Sequence, residues 1–205
     1  VIFAWLNRFS LEAISIVVLA ASVGALWRWR PLPRLTWHRP TRYEAGLAIL
    51  LIGCAAVYFR PHEYVLGGAD AHTYMNVGAA LAHTGEFVLH DEWSGFLRQY
   101  ADVTLRRQPA PFLTQYLQFV GWYSGDQDPT QVIPQFLPFH PVLVALGVSL
   151  GGLPIGLLVT PVWGVLSVAA VYFAARRWFG PPVGLLAAAL LAVTPTHIFF
   201  ARYPT

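Results

Sequence analysis

The residues with the most chemical capacity form one short passage, Gly67-Gly68-Ala69-Asp70-Ala71-His72-Thr73-Tyr74-Met75-Asn76, which follows an apolar run ending near Phe59. A carboxylate there stands at the mouth of a membrane span. As an N-cap, Asp70 would open a helix in which Tyr74, Val77, Gly78 and Leu81 recur at helical spacing and which Gly85 closes. As a ligand, it would share a divalent metal ion with His72, two residues on, while His62-Glu63 and His90-Asp91-Glu92 offer further oxygen and nitrogen donors. None of these spacings reproduces His-Glu-x-x-His or paired Cys-x-x-Cys, and solvated loop histidines are the competing reading.

Composition decides what kind of molecule must position these groups. The chain of 205 residues is 56% hydrophobic and only 11% charged, with a mean hydropathy of +0.52, a balance that identifies an integral membrane protein. Its 13 basic residues are all arginine, so the pI of about 9.2 comes from a few Arg clusters that report membrane orientation and not nucleic-acid binding. Cys54, the single cysteine, lies in an apolar run, which excludes an intramolecular disulfide and a cysteine metal site.

The pattern predicts an all-α polytopic membrane protein, one membrane domain over 1–205 with about five transmembrane helices. The apolar segments fall at 9–27, 43–59, 140–154, 156–175 and 183–200, each judged against the ~20 residues that cross a ~30 Å hydrocarbon core. Arg28, Arg30, Arg34, Arg39 and Arg42 follow the first segment with Trp27, Trp29 and Trp37, which sets that loop on the cytoplasmic side. The second span then delivers residues 61–139 to the outer face. Eight of the ten acids lie in that extracytoplasmic loop, together with His62, His72, His83 and His90. A loop of this length must carry structure of its own, and short surface helices are expected over 71–84 and 110–122. Alternation over five spans would leave Arg176 and Arg177 outside, against the positive-inside tendency; a re-entrant third segment or a count lower by one are the alternatives. The start without Met and the stop just after an apolar segment suggest the N-terminal part of a longer protein.

Several features taken together resemble a family. They are Asp70-x-x-x-Tyr74 after the second span, Pro134-Gln135-Phe136-Leu137-Pro138-Phe139-His140-Pro141 at re-entry, Arg176-Arg177-Trp178-Phe179-Gly180, and the closing Thr194-Pro195-Thr196-His197-Ile198-Phe199-Phe200-Ala201-Arg202-Tyr203-Pro204. From about residue 44 onward the chain resembles the N-terminal half of a GT-C-fold glycosyltransferase. The bacterial multispanning relatives of protein O-mannosyltransferases and of the lipid A aminoarabinose transferase are nearest. The family commonly carries Asp-Glu at the catalytic position, where this chain has Asp70-Ala71.

The resemblance implies a plasma (inner) membrane enzyme of bacteria that moves a sugar from a polyprenyl-phosphate donor to a lipid, glycan or protein acceptor at the outer face. It makes Asp70 the base that takes the acceptor proton, and gives Tyr74, His72, Arg106, Arg107 and Arg202 to substrate binding. Arg60 is a further external arginine, and a divalent metal ion is the candidate cofactor for the phosphate. The rival class is a transporter fragment or a non-catalytic polytopic protein, yet transporters set ionisable groups near the midplane, whereas here the spans carry almost no charge, Glu12 and Glu44 near their starts excepted. Trp93, Phe96, Tyr100, Trp122 and Tyr123 would line the membrane interface or stack on a sugar, and His140, between prolines, reads as a polar cap.

Overall fold

A computed structural model describes residues 9–28, 40–62, 69–97, 106–107, 116–119, 121–124, 128 and 130–204. In chain order the elements are α1 (Leu11–Arg28), α2 (Arg42–Tyr58), α3 (Ala69–Thr84), β1 (Leu89–His90), α4 (Glu92–Leu97), β2 (Arg106–Arg107), β3 (Tyr116–Phe119), β4 (Trp122–Ser124), β5 (Gln131–Pro134), α5 (Phe139–Gly151), α6 (Leu153–Gly156), α7 (Val159–Phe179), α8 (Pro181–Val193) and α9 (Pro195–Arg202). They fall into two units, a helical one of residues 11–62 and 158–203 and a mixed one of residues 1–10, 63–157 and 204–205.

The helical unit packs by small residues and shows its large ones. On α8, Gly184, Ala188 and Ala192 recur every fourth residue and are buried, whereas Leu186 and Leu190 are each 60% exposed. That is the reverse of a soluble helix. It fits hydrocarbon surroundings, where small residues let backbones approach and Leu or Ile face lipid at no cost. A Cβ on Gly184 would come within 2.8 Å of the Tyr172 carbonyl, and one on Gly164 within 2.6 Å of Ala201 and 3.2 Å of the Tyr58 ring, so α7 meets α8, α9 and α2 at glycines.

Helix α2 starts with a capping box. The Thr41 hydroxyl accepts from the Glu44 amide and the Glu44 carboxylate accepts from the Thr41 amide. The same carboxylate binds Arg176 of α7 at 2.7 Å, which joins the first turn of α2 to the last turn of α7. At the other end of α2, the Arg60 carbonyl accepts from Arg202 Nε at 2.7 Å and the His62 amide donates to the Arg202 carbonyl. Thus α2 runs one way, α7 returns, and the α8–α9 pair runs back again.

That last pair is bent by 65° at Thr194-Pro195, because proline supplies no amide to continue the helical bonds. The carbonyl of Ala192, released by the break, accepts instead from the Tyr58 hydroxyl at 2.9 Å in the buried core. Tyr58→Phe should therefore leave a buried acceptor unpaired and cost about 1–3 kcal/mol. Thermal unfolding of the full-length protein in one detergent checks this; an unchanged midpoint would mean that the bend does not depend on the hydroxyl.

Among the described residues, two helical stretches are long and apolar enough to cross a membrane, Leu11–Arg28 and Leu153–Phe179, and the bent pair makes up to three. The segment expected as a span over 140–154 is instead α5 and the start of α6, parted by Gly152. Thirteen residues of α5 rise only about 20 Å, short of the ~30 Å core. It belongs to the mixed unit, where it packs on α3 at Gly78; a Cβ there would lie 2.5 Å from Val144.

The all-α expectation is corrected by a five-stranded antiparallel sheet in the order β1-β5-β4-β3-β2. The surface helix expected over 110–122 is replaced, at its described positions, by β3 and the start of β4, with Phe119 opposite Trp122 across a tight turn. The four residues Tyr116–Phe119 are extended, and Gly121, at φ +96°, turns the chain into the next strand. The helix expected over 71–84 is present as α3, closed by Gly85 at φ +76°. One face of it is interior to the unit: Met75 and Leu81 are fully buried, and Val77 joins Phe87, Trp122 and Val132 in a core.

Candidate functional site

The N-terminus of α3 carries the candidate group. The helix begins at Ala69, which makes Asp70 its second residue and not the N-cap, and the carboxylate is exposed in the first turn, where it complements the helix dipole. Tyr74 stands one turn on and shares its face, as i and i+4 residues do. Helix α5 and the segment before it bring two more rings to that residue. The centroid of Phe136 lies 5.2 Å from that of Tyr74, and His140 meets the same ring edge-on at 5.3 Å.

Charge and burial tune this cluster. Burial first, and then the negative charge of Asp70, raise the Tyr74 phenol above its ordinary pKa. Burial alone lowers the His140 imidazole to about 4, so it is neutral at neutral pH. Its Nε2 is shielded and has no hydrogen-bond partner among the described residues. The arrangement places an exposed carboxylate beside a half-buried aromatic ledge with a phenolic tip.

Because the folded pKa of His140 lies below its unfolded value of 6.5, its neutral form stabilises the fold fully above pH 6.5, and that contribution is lost as pH falls toward 4. The loss is on the order of 3 kcal/mol. Unfolding midpoints across pH 7 to 4 should fall more steeply in wild type than in His140→Phe; parallel curves would remove burial as the cause.

The other expected residues are dispersed. His72 lies two residues from Asp70 on the helix, a spacing at which side chains do not face each other, and its Nε2 is 3.5 Å from the Thr73 hydroxyl. No group of three or more His, Cys, Asp or Glu that could hold a metal ion is found among the described residues. Arg106 and Arg107 form the edge strand β2, paired with Leu117 and Tyr116. Arg202 and Arg60 belong to the helical unit, where the Arg202 guanidinium is tied to the Arg60 carbonyl.

Two acids of the mixed unit, Asp91 and Asp128, are engaged in local hydrogen bonds. Asp91 accepts from the Trp93 amide and the Ser94 hydroxyl and so starts α4. Asp128 accepts from the Thr130 hydroxyl and amide, bonds that, with His90 at 3.7 Å, hold its carboxyl below the usual range. Of the aromatics, Trp93 and Phe96 are exposed edge-to-face neighbours, whereas Trp122 is buried in the core; Tyr100 and Glu63 lie outside the described residues. Phe136 and the role of His140 were not visible from spacing. Their proline-rich surroundings were the one signal.

The chain matches no known protein family, curated protein or solved structure. The glycosyltransferase resemblance rests on the order of residues in the sequence.

Proposed function

We propose that the protein is a GT-C-type glycosyltransferase that moves a sugar from a polyprenyl-phosphate donor to a hydroxyl acceptor at the outer face of a bacterial plasma membrane. The observation that carries this reading is the exposed Asp70 on the same helical face as Tyr74, whose ring packs with Phe136 and His140. In the reaction the acceptor oxygen bonds to the anomeric carbon while the bond from that carbon to the phosphate oxygen breaks. The bonding pair leaves on the lipid phosphate, and the acceptor proton passes to Asp70. Arg106 or Arg107, or a divalent ion, balances the phosphate charge. His72 and Tyr74 complete the substrate contacts.

For the topology we propose four crossings, by α1, α2, α6–α7 and the bent α8–α9 pair, in place of five. The pair Glu44–Arg176 supports this count, since it sets Arg176 and Arg177 at the same end of the helical unit as the Arg28–Arg42 loop and so satisfies the positive-inside tendency. With that count α2 ends at the outer face, as Asp70 chemistry there requires.

A second reading, a transporter, draws on the broken pair at Thr194-Pro195, because interrupted helices line many transport sites. Proteoliposomes of the full-length protein separate the two. A labelled sugar on a polyprenyl phosphate should become covalently attached to an added hydroxyl acceptor; solute accumulating inside sealed vesicles with no covalent transfer would replace the transferase with the transporter.

A further inference from the structure

Helix α5 of the mixed unit has one face filled by protein and one that the described residues leave open. Val144 and Ala145 are fully buried, and Val142 and Val148 nearly so, in the helix that packs on α3. Around the helix from them, Phe139, Leu143, Leu146 and Leu150 recur at i, i+4, i+7 and i+11 and so form one stripe. Phe139 is 60% and Leu150 71% exposed, Leu143 and Leu146 are half-buried, and Leu137, just ahead of the helix, is 82% exposed.

What lies on that stripe follows from its chemistry and from its continuation. Although 11% of the chain is charged, no Asp, Glu, Lys or Arg occurs between Asp128 and Arg176, and His140 and Ser149 are the polar side chains of α5. A helix that faces water carries a charged side, and even a helix lying in a membrane interface keeps one turned away from the lipid. Helix α5 needs none, because α3 occupies its other face. The apolar surface also runs on into a membrane span. Gly152, at φ +75°, interrupts the helix for one residue, and Leu153–Phe179 follows, long and apolar enough to cross. Ile155 on that stretch is 40% exposed and sits against the turn, 2.5 Å from where a Cβ on Gly151 would be. No charged residue separates Leu150 from Ile155, so a boundary between water and lipid has no place to fall between them.

We propose that α5 lies along the membrane without crossing it, with Phe139, Leu143, Leu146 and Leu150 immersed among the acyl chains of one leaflet. Because α3 packs on the opposite face at Gly78, the helix that bears Asp70 is then held about 8–10 Å from α5, axis to axis, on the side away from the hydrocarbon. The surface needs no assumption about sugar transfer.

The test places a nitroxide at Phe139→Cys, Leu143→Cys, Leu146→Cys or Leu150→Cys in otherwise cysteine-free full-length protein, Cys54→Ala included, reconstituted in proteoliposomes. Collision with dissolved oxygen, which concentrates in hydrocarbon, is measured against collision with a water-soluble nickel chelate. Leu186→Cys, on the 60% exposed position of α8, is the lipid reference. The oxygen-to-nickel ratio on the stripe should match that reference and exceed that of a free aqueous label at least ~10-fold, because a polar chelate is excluded from hydrocarbon. The four depths should agree within about 8 Å, half the ~16 Å that the helix rises from 139 to 150. Labels that favour the nickel chelate would put the stripe in water and overturn the proposal. Labels shielded from both reagents would show that protein covers it, a later segment of the chain or a second copy, and would overturn the lipid as occupant. A depth change larger than about 8 Å along the stripe would make α5 an inserted segment and overturn its lying orientation. Leu137→Cys, ahead of the helix, keeps the test open should a label within α5 lower the unfolding midpoint. Because the readout is collision and not turnover, either result leaves the transferase reading where it stood.

Discussion

Asp70→Asn is expected to yield a protein that inserts and folds as wild type does but transfers sugar at least ~10²-fold more slowly, the range a positioned general base supplies. The separation is clean because Asp70 is exposed and is the second residue of α3, not its cap. Neither the cap nor the core is disturbed by the change. Losing a charge from the first turn costs about 0.3–1 kcal/mol, and Asp70→Ala should cost no more, since no N-cap bond is removed. Asparagine keeps size and polarity yet cannot accept a proton near neutral pH. A second readout ties the substitution to the site: the Asp70 charge contributes to the raised pKa of Tyr74, so the tyrosine titration should move downward in Asp70→Asn. Full activity together with that movement would eliminate Asp70 as the base while leaving the geometry intact. Loss of activity with no movement would place the lesion elsewhere than the Asp70–Tyr74 face.

The comparison of pattern with fold turns on range. Helix α2 was legible to within a residue at each end because one apolar run, bounded by Thr41 with Glu44 and by Arg60, contains all the information. The segment expected as a single span over 183–200 was read too simply, as Pro195 breaks it into α8 and α9. Its consequence, Tyr58 bonded to Ala192 134 residues away, depends on tertiary contact. The sheet was hidden because its strands are two to four residues long, too short for period-two alternation to be told from one turn of an amphipathic helix. At the candidate site the i, i+4 relation of Asp70 and Tyr74 could be read directly. The rings of Phe136 and His140 come from more than sixty residues away, and only the packing of α5 on α3 at Gly78 brings them in. Likewise, nothing local joins Glu44 to Arg176, the pair that bears most on the number of crossings.

The largest stability effect is expected at Gly121, where two constraints coincide. The residue turns β3 into β4 at φ +96°, a conformation that costs an L side chain about 1–2 kcal/mol. Its Cα also lies directly against Thr73, fully buried in α3, whose hydroxyl, Cβ and methyl group would all meet an added Cβ too closely. Backbone and helix must then part, and overpacking of that kind costs about 1–3 kcal/mol. Gly121→Ala should thus lose about 2–5 kcal/mol in the mixed unit, seen as faster hydrogen exchange around Trp122 and Met75, while exchange in α2, α7 and α8 is unchanged. Gly24→Ala is the control: nothing lies within 4 Å of its Cβ position in α1, and alanine there is neutral or stabilising by up to about 1 kcal/mol. Thr73→Ala combined with Gly121→Ala should recover part of the steric loss but none of the conformational one, so the coupling measures the contact itself. A Gly121→Ala protein as stable as wild type, or a double variant with no recovery, would separate the turn from α3 and take away the support on which the Asp70 helix rests.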